Sequence, residues 1–266
     1  MILLNSKKRL ATLLIVLIFG IIIFILDLGT TGLVDETPPL FAAAARAMSE
    51  SGDWLTPKVN GIFRFDKPPL IYWLMGFFYS LPKIEIWDSL GTLSARLPSS
   101  LGSLFLMLMI ADTLFCWPQK GDKQFLTPLV ASLGFALSPL IIIWSRTAVS
   151  DALLTGTLGI SLLLFWRRMA SENNDKCIAA WAFLGFAILT KGPVAFVLAT
   201  LTITFFLIIQ KDWRSLLYKI NPKKGFLITI LISVPWYLLE LLKEGKPFWD
   251  NFFGYHNLQR LSLIHI

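Results

Sequence analysis

Residues 35–73 read DETPPLFAAAARAMSESGDWLTPKVNGIFRFDKPPLIYW. This stretch is long, charged and interrupted by proline, whereas the chain on both sides of it is strongly apolar. It follows an apolar run near residues 10–27 that can cross a bilayer. The adjacent carboxylates Asp35-Glu36 and the acid–base pair Asp66-Lys67 predict a reaction centre at the membrane surface. A solvated loop, kept out of lipid by its charges, explains the same composition.

The composition is that of a membrane protein. Of the 266 residues, 55% are hydrophobic and the mean hydropathy is +0.67, which excludes an ordinary soluble domain. The net charge of +7 indicates affinity for anionic lipid headgroups, and no feature indicates nucleic-acid binding. A transmembrane helix needs about 20 mostly apolar residues. Windows of that length predict about seven spans, near residues 10–27, 92–115, 126–144, 151–166, 178–190, 193–209 and 225–241.

Basic residues predict the orientation. Lys7-Lys8-Arg9 precedes the first span as in a signal peptide, but no small-residue cleavage site follows, which indicates a retained signal-anchor. With the N-terminus in the cytoplasm, the short inner segments hold 13 of the 24 Lys and Arg residues. The loop at residues 28–91 then lies on the outer, periplasmic side of the plasma (inner) membrane. Cys116 and Cys177 lie near inner ends, where reducing conditions keep them as thiols.

Two segments of the outer loop are predicted to be short helices, joined by a loop through Asn60-Gly61. Residues 37–50 begin with Thr-Pro, a common helix start. Residues 69–81 are apolar on every side and are bounded by proline. At about 1.5 Å per residue, neither segment can cross a hydrocarbon core of about 30 Å. Both are therefore expected to lie in the plane of the interface.

Several short motifs follow one another along almost the whole chain. They are Gly32-Leu-Val-Asp35-Glu36, Ala43-Ala44-Ala45-Arg46-Ala47-Met48, Ser51-Gly52-Asp53-Trp54, Asn60-Gly61, Phe65-Asp66-Lys67-Pro68-Pro69-Leu70, Ala95-Arg96-Leu97-Pro98-Ser99, Thr190-Lys191-Gly192-Pro193 and Asn257-Leu258-Gln259-Arg260. This order resembles the bacterial membrane glycosyltransferases that use polyprenyl-phosphate sugars, which include relatives of protein O-mannosyltransferases and of the lipid A aminoarabinose transferase. The resemblance implies an all-α, polytopic transmembrane helical bundle of the GT-C type, similar to glycosyltransferase family 39, with in-plane periplasmic helices.

The same resemblance implies a domain organisation. Residues 1–266 form a single transmembrane glycosyltransferase domain, and the outer loop 28–91 carries the main site motifs. Members of the family usually continue with further spans and a soluble outer domain after the motif that ends here at Arg260. The chain is therefore expected to be the N-terminal, truncated portion of a longer enzyme.

The implied reaction moves a sugar from an isoprenoid-phosphate donor to an acceptor hydroxyl on the outer face, with inversion at the anomeric carbon. Asp35 matches the family's first-loop aspartate and is expected to be the general base, because partial desolvation would raise its proton affinity. Asp151 matches a second acidic residue of the site, and Glu36 is expected to support substrate binding. The alternative interpretation of Asp35 is a helix-end charge at the headgroups, and that of Asp151 is a carboxylate stabilised by the helix dipole.

Basic residues of these motifs are expected to bind the donor phosphate. Lys67 and Arg260 would neutralise it, the guanidinium through two-pronged contacts and the ammonium as a point charge. Lys191 has the same implied role on weaker support. Snorkelling to lipid phosphate explains all three residues as well. The resemblance therefore predicts one cavity surrounded by Asp35, Asp66, Lys67, Asp151 and Arg260.

A divalent metal cation is a candidate cofactor. Asp66 and His256 could hold such an ion against the donor phosphate. The family can place a histidine five residues before the arginine, but Tyr255 occupies that position here and His256 follows it. His265 lies beyond the motif and receives no role.

Two other functions explain part of the pattern. A transporter or flippase for lipid-linked sugars would also need charges in a membrane cavity, close to the bilayer midplane. In this chain almost all ionisable residues lie at span ends, which favours chemistry at the surface. An inactive, truncated lipid-binding fragment is the third interpretation. The sequence leaves open the sugar and whether the acceptor is a lipid, a glycan or a protein.

Overall fold

The structure, a computed structural model, describes residues 2–82, 84–117, 123–170, 177–210 and 213–259, with side chains except at 2–6, 84–85 and 256–259. The described chain is almost entirely helical, which confirms the all-α fold class. The helices are α1 (Ile2–Phe24), α2 (Thr37–Ser51), α3 (Leu70–Tyr79), α4 (Ile84–Trp87), α5 (Thr92–Cys116), α6 (Leu126–Ala136), α7 (Pro139–Ser145), α8 (Ser150–Ala170), α9 (Cys177–Lys191), α10 (Pro193–Ile209), α11 (Trp213–Lys219), α12 (Pro222–Glu244), α13 (Lys246–Phe248) and a π-helix (Trp249–Gln259). Two short strands, β1 (Lys58–Val59) and β2 (Ile62–Phe63), pair antiparallel.

The seven predicted spans coincide with α1, α5, α6 with α7, α8, α9, α10 and α12. Judged by length and composition within the described residues, α5 and α12 can each cross a membrane, and α6 with α7 gives a third crossing if counted as one span. The predicted span over 126–144 is built from two helices rather than one, because α6 and α7 meet at 65° before Pro139. Proline lacks an N–H and clashes with the preceding turn. Since α9 and α10 have only 15 and 17 residues, the number of crossings stays a prediction.

The central helices pack in the order α5, α8, α9 and α12, with α1 against α5 and α6. The backbones of α5 and α8 approach closely, since a Cβ on Gly156 would lie 2.5 Å from the carbonyl oxygen of Gly102. Small residues at such a crossing allow two helix backbones to touch. This contact fixes the N-terminal end of α8, which carries Asp151, against α5.

Gly156→Ala is expected to lower the melting temperature, although alanine is the better helix former. Overpacking of this kind costs about 1–3 kcal/mol, whereas alanine gains about 1 kcal/mol over glycine in a helix. Gly134→Ala in α6 is the matched control, because nothing lies within 4 Å of the added Cβ there. Thermal unfolding of the purified variants measures the difference. A Gly156→Ala protein as stable as Gly134→Ala would contradict the close crossing.

The outer loop contains the two short helices that the sequence predicts. α2 is capped at its C-terminal end by Gly52, whose φ is 73° and whose N–H donates to the carbonyl of Met48. α3 stops at Tyr79, so neither helix extends into a full crossing, and their in-plane position stays a prediction. The sequence analysis missed the hairpin between them, which turns at Asn60 and Gly61 with φ values of 52° and 79°. Asn-Gly favours such two-residue turns, so the signal was present in the sequence.

The connection between α2 and β1 is fixed to the C-terminal end of α12. Lys243 Nζ lies 2.9 Å from Asp53 Oδ2 and 3.0 Å from Thr56 Oγ1, and the indole N–H of Trp236 donates to the Leu55 carbonyl at 3.0 Å. Burial alone would raise the pKa of Asp53, but the hydrogen bonds from Lys243 and from two backbone N–H groups lower it to about 2. This carboxylate therefore stabilises the contact above its ordinary pKa of 3.8, and its contribution is lost as the pH falls through 2.

Candidate functional site

A cavity of about 570 Å³ lies where the outer loop meets the ends of α8 and α9 and the π-helix. Its lining combines charged groups with aromatic rings and consists of Asp35, Thr37, Pro38, Phe41, Phe63, Arg64, Phe65, Asp66, Lys67, Trp144, Thr147, Val149, Ser150, Asp151, Lys191 and Asn251. The predicted convergence is thus confirmed for Asp35, Asp66, Lys67 and Asp151, and Lys191 joins them. Glu36 is not among the lining residues. Arg260 and the side chain of His256 lie outside the part of the chain that the structure describes.

Asp35 lies just before α2 in a left-handed backbone conformation, with a φ of 79°. Aspartate is one of the few residues that tolerate this region. Its Oδ1 accepts the backbone N–H of Glu36 at 2.7 Å. Within the described ranges Asp35 forms no ion pair within 4 Å, whereas Asp66 and Asp151 each do. Asp35 is therefore the cavity carboxylate without a neutralising cation among the residues described.

Arg96 of α5 holds the loop that leads to Asp35. The residue is 8% exposed. Its guanidinium donates to the carbonyl oxygens of Leu28 at 2.7 Å, Thr31 at 2.8 Å and Gly32 at 2.8 Å. Three carbonyls gathered by one planar donor group fix the path of the chain from α1 towards α2.

Arg96→Lys is expected to loosen this loop while keeping the positive charge. An ammonium group cannot reproduce the fork of donors, and losing hydrogen bonds to a buried charged group costs about 1.5–3 kcal/mol each. The variant should melt at a lower temperature, and amide hydrogen exchange in residues 28–36 should become faster. Arg46→Lys is the control, because Arg46 stacks on Tyr79, 4.9 Å from the ring centroid, outside the cavity. Unchanged exchange in residues 28–36 would contradict the role of Arg96.

Asp66 is fixed by donors on both carboxylate oxygens. Arg64 Nη2 lies 2.8 Å from Oδ2, and the Tyr72 hydroxyl lies 2.9 Å from Oδ1. Burial raises the pKa of the Tyr72 phenol well above its ordinary value of 10.0. The phenol therefore stays protonated and donates a hydrogen bond to Asp66. Lys67 Nζ lies 3.0 Å from the carbonyl oxygen of Asp66 and 3.8 Å from its Oδ2. Asp66 therefore anchors the Lys67 ammonium at the cavity wall.

The described residues do not form a metal site. Cationic and hydroxyl donors already occupy both oxygens of Asp66, where an ion would have to bind. Over the described ranges, no group of three or more His, Cys, Asp or Glu side chains is placed to hold a metal ion. The predicted pairing of Asp66 with His256 stays a prediction, and no step below uses a metal.

Asp151 and Lys191 form an ion pair at the same cavity. Asp151 lies in the first turn of α8, where the helix dipole stabilises its charge. Lys191 ends α9, just before Gly192, whose φ of 78° allows the chain to turn into Pro193 of α10. The broken apolar run is thus a turn, as predicted, and it brings an ammonium group into the cavity.

Sequence analysis missed several residues of the site. Arg64 and Tyr72 hydrogen-bond to Asp66. Arg64 could have been predicted, because it is a basic residue two positions before Asp66 in the same loop. Trp144 and Asn251 reach the cavity from α7 and the π-helix. No local pattern marks these two, since only the packing of distant helices brings them to the outer loop.

Comparisons with known proteins identify relatives of this chain. An undecaprenyl phosphate-alpha-4-amino-4-deoxy-L-arabinose arabinosyl transferase 1 from Pseudomonas fluorescens is 29% identical over 262 residues, which is 96% of this chain and 45% of that protein. The crystal structure of ArnT from Cupriavidus metallidurans in the apo state matches with a TM-score of 0.79 and 24% identity, over 93% of this chain and 44% of that one. The structure of that protein bound to undecaprenyl phosphate matches with a TM-score of 0.78 and 23% identity, over 92% and 44%. The structural likeness shows the GT-C type fold.

The chain spans about half the length of the curated relatives it matches. Its apolar helices and its relatives show that it is an integral membrane protein. Residues 66–238 match the family described as dolichyl-phosphate-mannose-protein mannosyltransferase, which is well over half of the chain. The chain therefore belongs to the dolichyl-phosphate-mannose-protein mannosyltransferase family.

Proposed function

We propose that the protein is a membrane glycosyltransferase that moves a sugar from an isoprenoid-phosphate donor to an acceptor hydroxyl. One observation carries the proposal: a single cavity contains a carboxylate, Asp35, with no ion pair among the described residues, together with the ammonium groups of Lys67 and Lys191. Such a reaction needs a base for the acceptor proton and positive charge for the phosphate that leaves.

In this mechanism Asp35 removes the proton from the acceptor hydroxyl. The acceptor oxygen then forms a bond to the anomeric carbon while the bond from that carbon to the phosphate oxygen breaks, which inverts the configuration. The lipid phosphate leaves with an additional negative charge. Lys67 neutralises that charge from the wall fixed by Asp66, and the motif residue Arg260 is assigned the same role.

Asp151 and Lys191 act together at the same cavity. The ion pair holds the Lys191 ammonium at the cavity, where it can bind a phosphate oxygen or a sugar hydroxyl. The partly exposed aromatic rings of Phe63 and Trp144 offer flat apolar surfaces beside these charges. An amphipathic sugar on an anionic carrier matches that combination.

The relatives suggest the donor to test first. Their names specify an arabinosyl group on undecaprenyl phosphate, and we infer that this chain takes a donor of the same class. The acceptor hydroxyl belongs to a lipid, a glycan or a protein. The bias of basic residues supports a site on the periplasmic side of the inner membrane with the N-terminus in the cytoplasm.

A transfer assay tests the proposal. Membranes that carry the protein receive an undecaprenyl-phosphate sugar labelled in the sugar, together with extracts of envelope lipids, glycans and proteins. We expect the label to move to one acceptor class, with release of an equal amount of undecaprenyl phosphate. Movement of uncleaved donor across the membrane of proteoliposomes, with no sugar transfer under any condition, would support a flippase and overturn the proposal.

A further inference from the structure

A second, larger cavity lies at the opposite end of the helical bundle. It has a volume of about 840 Å³ and is bordered by the C-terminal end of α8 and the N-terminal ends of α9 and α12. α8 carries Asp151 of the first cavity at one end and Arg168 of this cavity at the other. Arg168 follows Asp151 by 17 positions, which corresponds to about 25 Å of helix, so the two cavities face opposite ends of the membrane-spanning bundle.

The charge of this cavity has one sign. Its lining contains the five basic residues Arg168, Arg214, Lys219, Lys223 and Lys224, and no acidic side chain is among the described residues that line it. The positive-inside rule explains why basic residues lie at one end of the spans. The rule does not require basic residues to surround a cavity, so their convergence here indicates a site for an anionic ligand.

A helix N-terminus adds to the positive potential. The 23-residue helix α12 begins at Pro222 beside this cavity and has no side-chain hydrogen bond at its N-cap, Asn221. The first N–H groups of a helix lack partners within the helix, and the helix dipole places partial positive charge there. Together with the basic side chains, this end of α12 favours a phosphate group.

The walls of the cavity are rigidly built. Arg168 Nε donates to the carbonyl of Lys219 at 2.9 Å, and Lys219 Nζ donates to the carbonyl of Met169 at 3.1 Å. Trp181 packs directly on Gly225, where an added Cβ would lie 2.0 Å from the indole ring. The link from α11 to α12 is therefore fixed onto the ends of α8 and α9.

Apolar side chains in the same lining distinguish a lipid from a soluble anion. Ile178, Leu217 and Ile228 line the cavity beside the charges, and Ile178 is 65% exposed. A small hydrophilic anion gains nothing from these surfaces, whereas the glycerol and acyl chains of a lipid do. We propose that this cavity binds the phosphate headgroup of an anionic phospholipid in the leaflet opposite the Asp35 cavity.

Lipid titration of the purified protein tests this site. Native mass spectrometry and thermal shifts are measured in detergent with added phosphatidylglycerol, phosphatidylcholine or inorganic phosphate. We expect the parent protein to retain phosphatidylglycerol in preference to phosphatidylcholine and to melt at a higher temperature with it. The double variant Lys223→Gln/Lys224→Gln should bind phosphatidylglycerol roughly tenfold or more weakly, since each basic residue near anionic lipid multiplies affinity about fivefold. Arg214→Gln should weaken it by about fivefold.

The matched control is Lys7→Gln/Lys8→Gln, which removes the same charge from exposed positions of α1 outside this cavity. This control should change the affinity for phosphatidylglycerol less than threefold. Equal losses in both double variants, or equal retention of the two phospholipids by the parent, would overturn the proposal. Displacement of phosphatidylglycerol by millimolar inorganic phosphate would also overturn it, by showing a site for a soluble anion. Asp35→Asn should leave phosphatidylglycerol binding unchanged, so the outcome is independent of the glycosyltransferase proposal.

Discussion

Asp35→Asn is expected to lower the rate of sugar transfer by about 10²–10⁴-fold, the range typical of general-base assistance. The amide keeps the size and most hydrogen bonding of the carboxylate but cannot accept the acceptor proton. Binding of the polyprenyl-phosphate donor should change little, because the proposed mechanism assigns the phosphate to Lys67 and Arg260. Transfer from labelled donor and donor binding are measured separately on the same membranes.

Glu50→Gln is the matched control for this substitution. It also turns a carboxylate into an amide, at an exposed side chain of α2 that does not line the cavity, and should retain the parent rate. If Asp35→Asn transfers at the parent rate while Asp151→Asn is inactive, Asp151 is the base. Full activity in both variants would contradict carboxylate catalysis in this cavity.

Lys67→Ala is expected to affect donor binding rather than the proton-transfer step that Asp35→Asn removes. Donor affinity should fall by roughly tenfold to a hundredfold. A charge-assisted contact to phosphate is worth about 1.5–3 kcal/mol, and alanine removes it. Lys58→Ala serves as the control, because Lys58 pairs with Asp53 outside the cavity. Affinity for undecaprenyl phosphate is measured by titration of both variants. Equal affinities would assign the phosphate to other cations.

Much of the fold could be predicted from local signals. Apolar runs placed the helices, and the short lengths of residues 37–50 and 69–81 excluded full crossings at both segments. The bend before Pro139 was missed, because a hydropathy window averages over the residue that breaks the helix. The hairpin at Asn60-Gly61 was missed although its turn residues were noted, because two-residue strands carry no periodic pattern.

The site was predictable only through its charged motif residues. Asp35 and Lys67 stand in one polar loop, and the order of motifs placed Asp151 and Lys191 with them. The groups that orient these residues were not visible, because they act through tertiary contacts. Arg96 reaches back over more than 60 residues to the carbonyls of Leu28 and Gly32, a pairing that no local spacing reveals.

We propose that the cavity at Asp35 binds the phosphate of an isoprenoid carrier for sugar transfer. An experimental structure of this protein with undecaprenyl phosphate tests the proposal. We expect the phosphate to lie in the cavity of about 570 Å³, on the side that faces Asp35, with one oxygen at a hydrogen-bond distance of about 3 Å from Lys67 Nζ. A phosphate bound instead in the basic cavity at the other end of α8, with the Asp35 cavity empty, would contradict it.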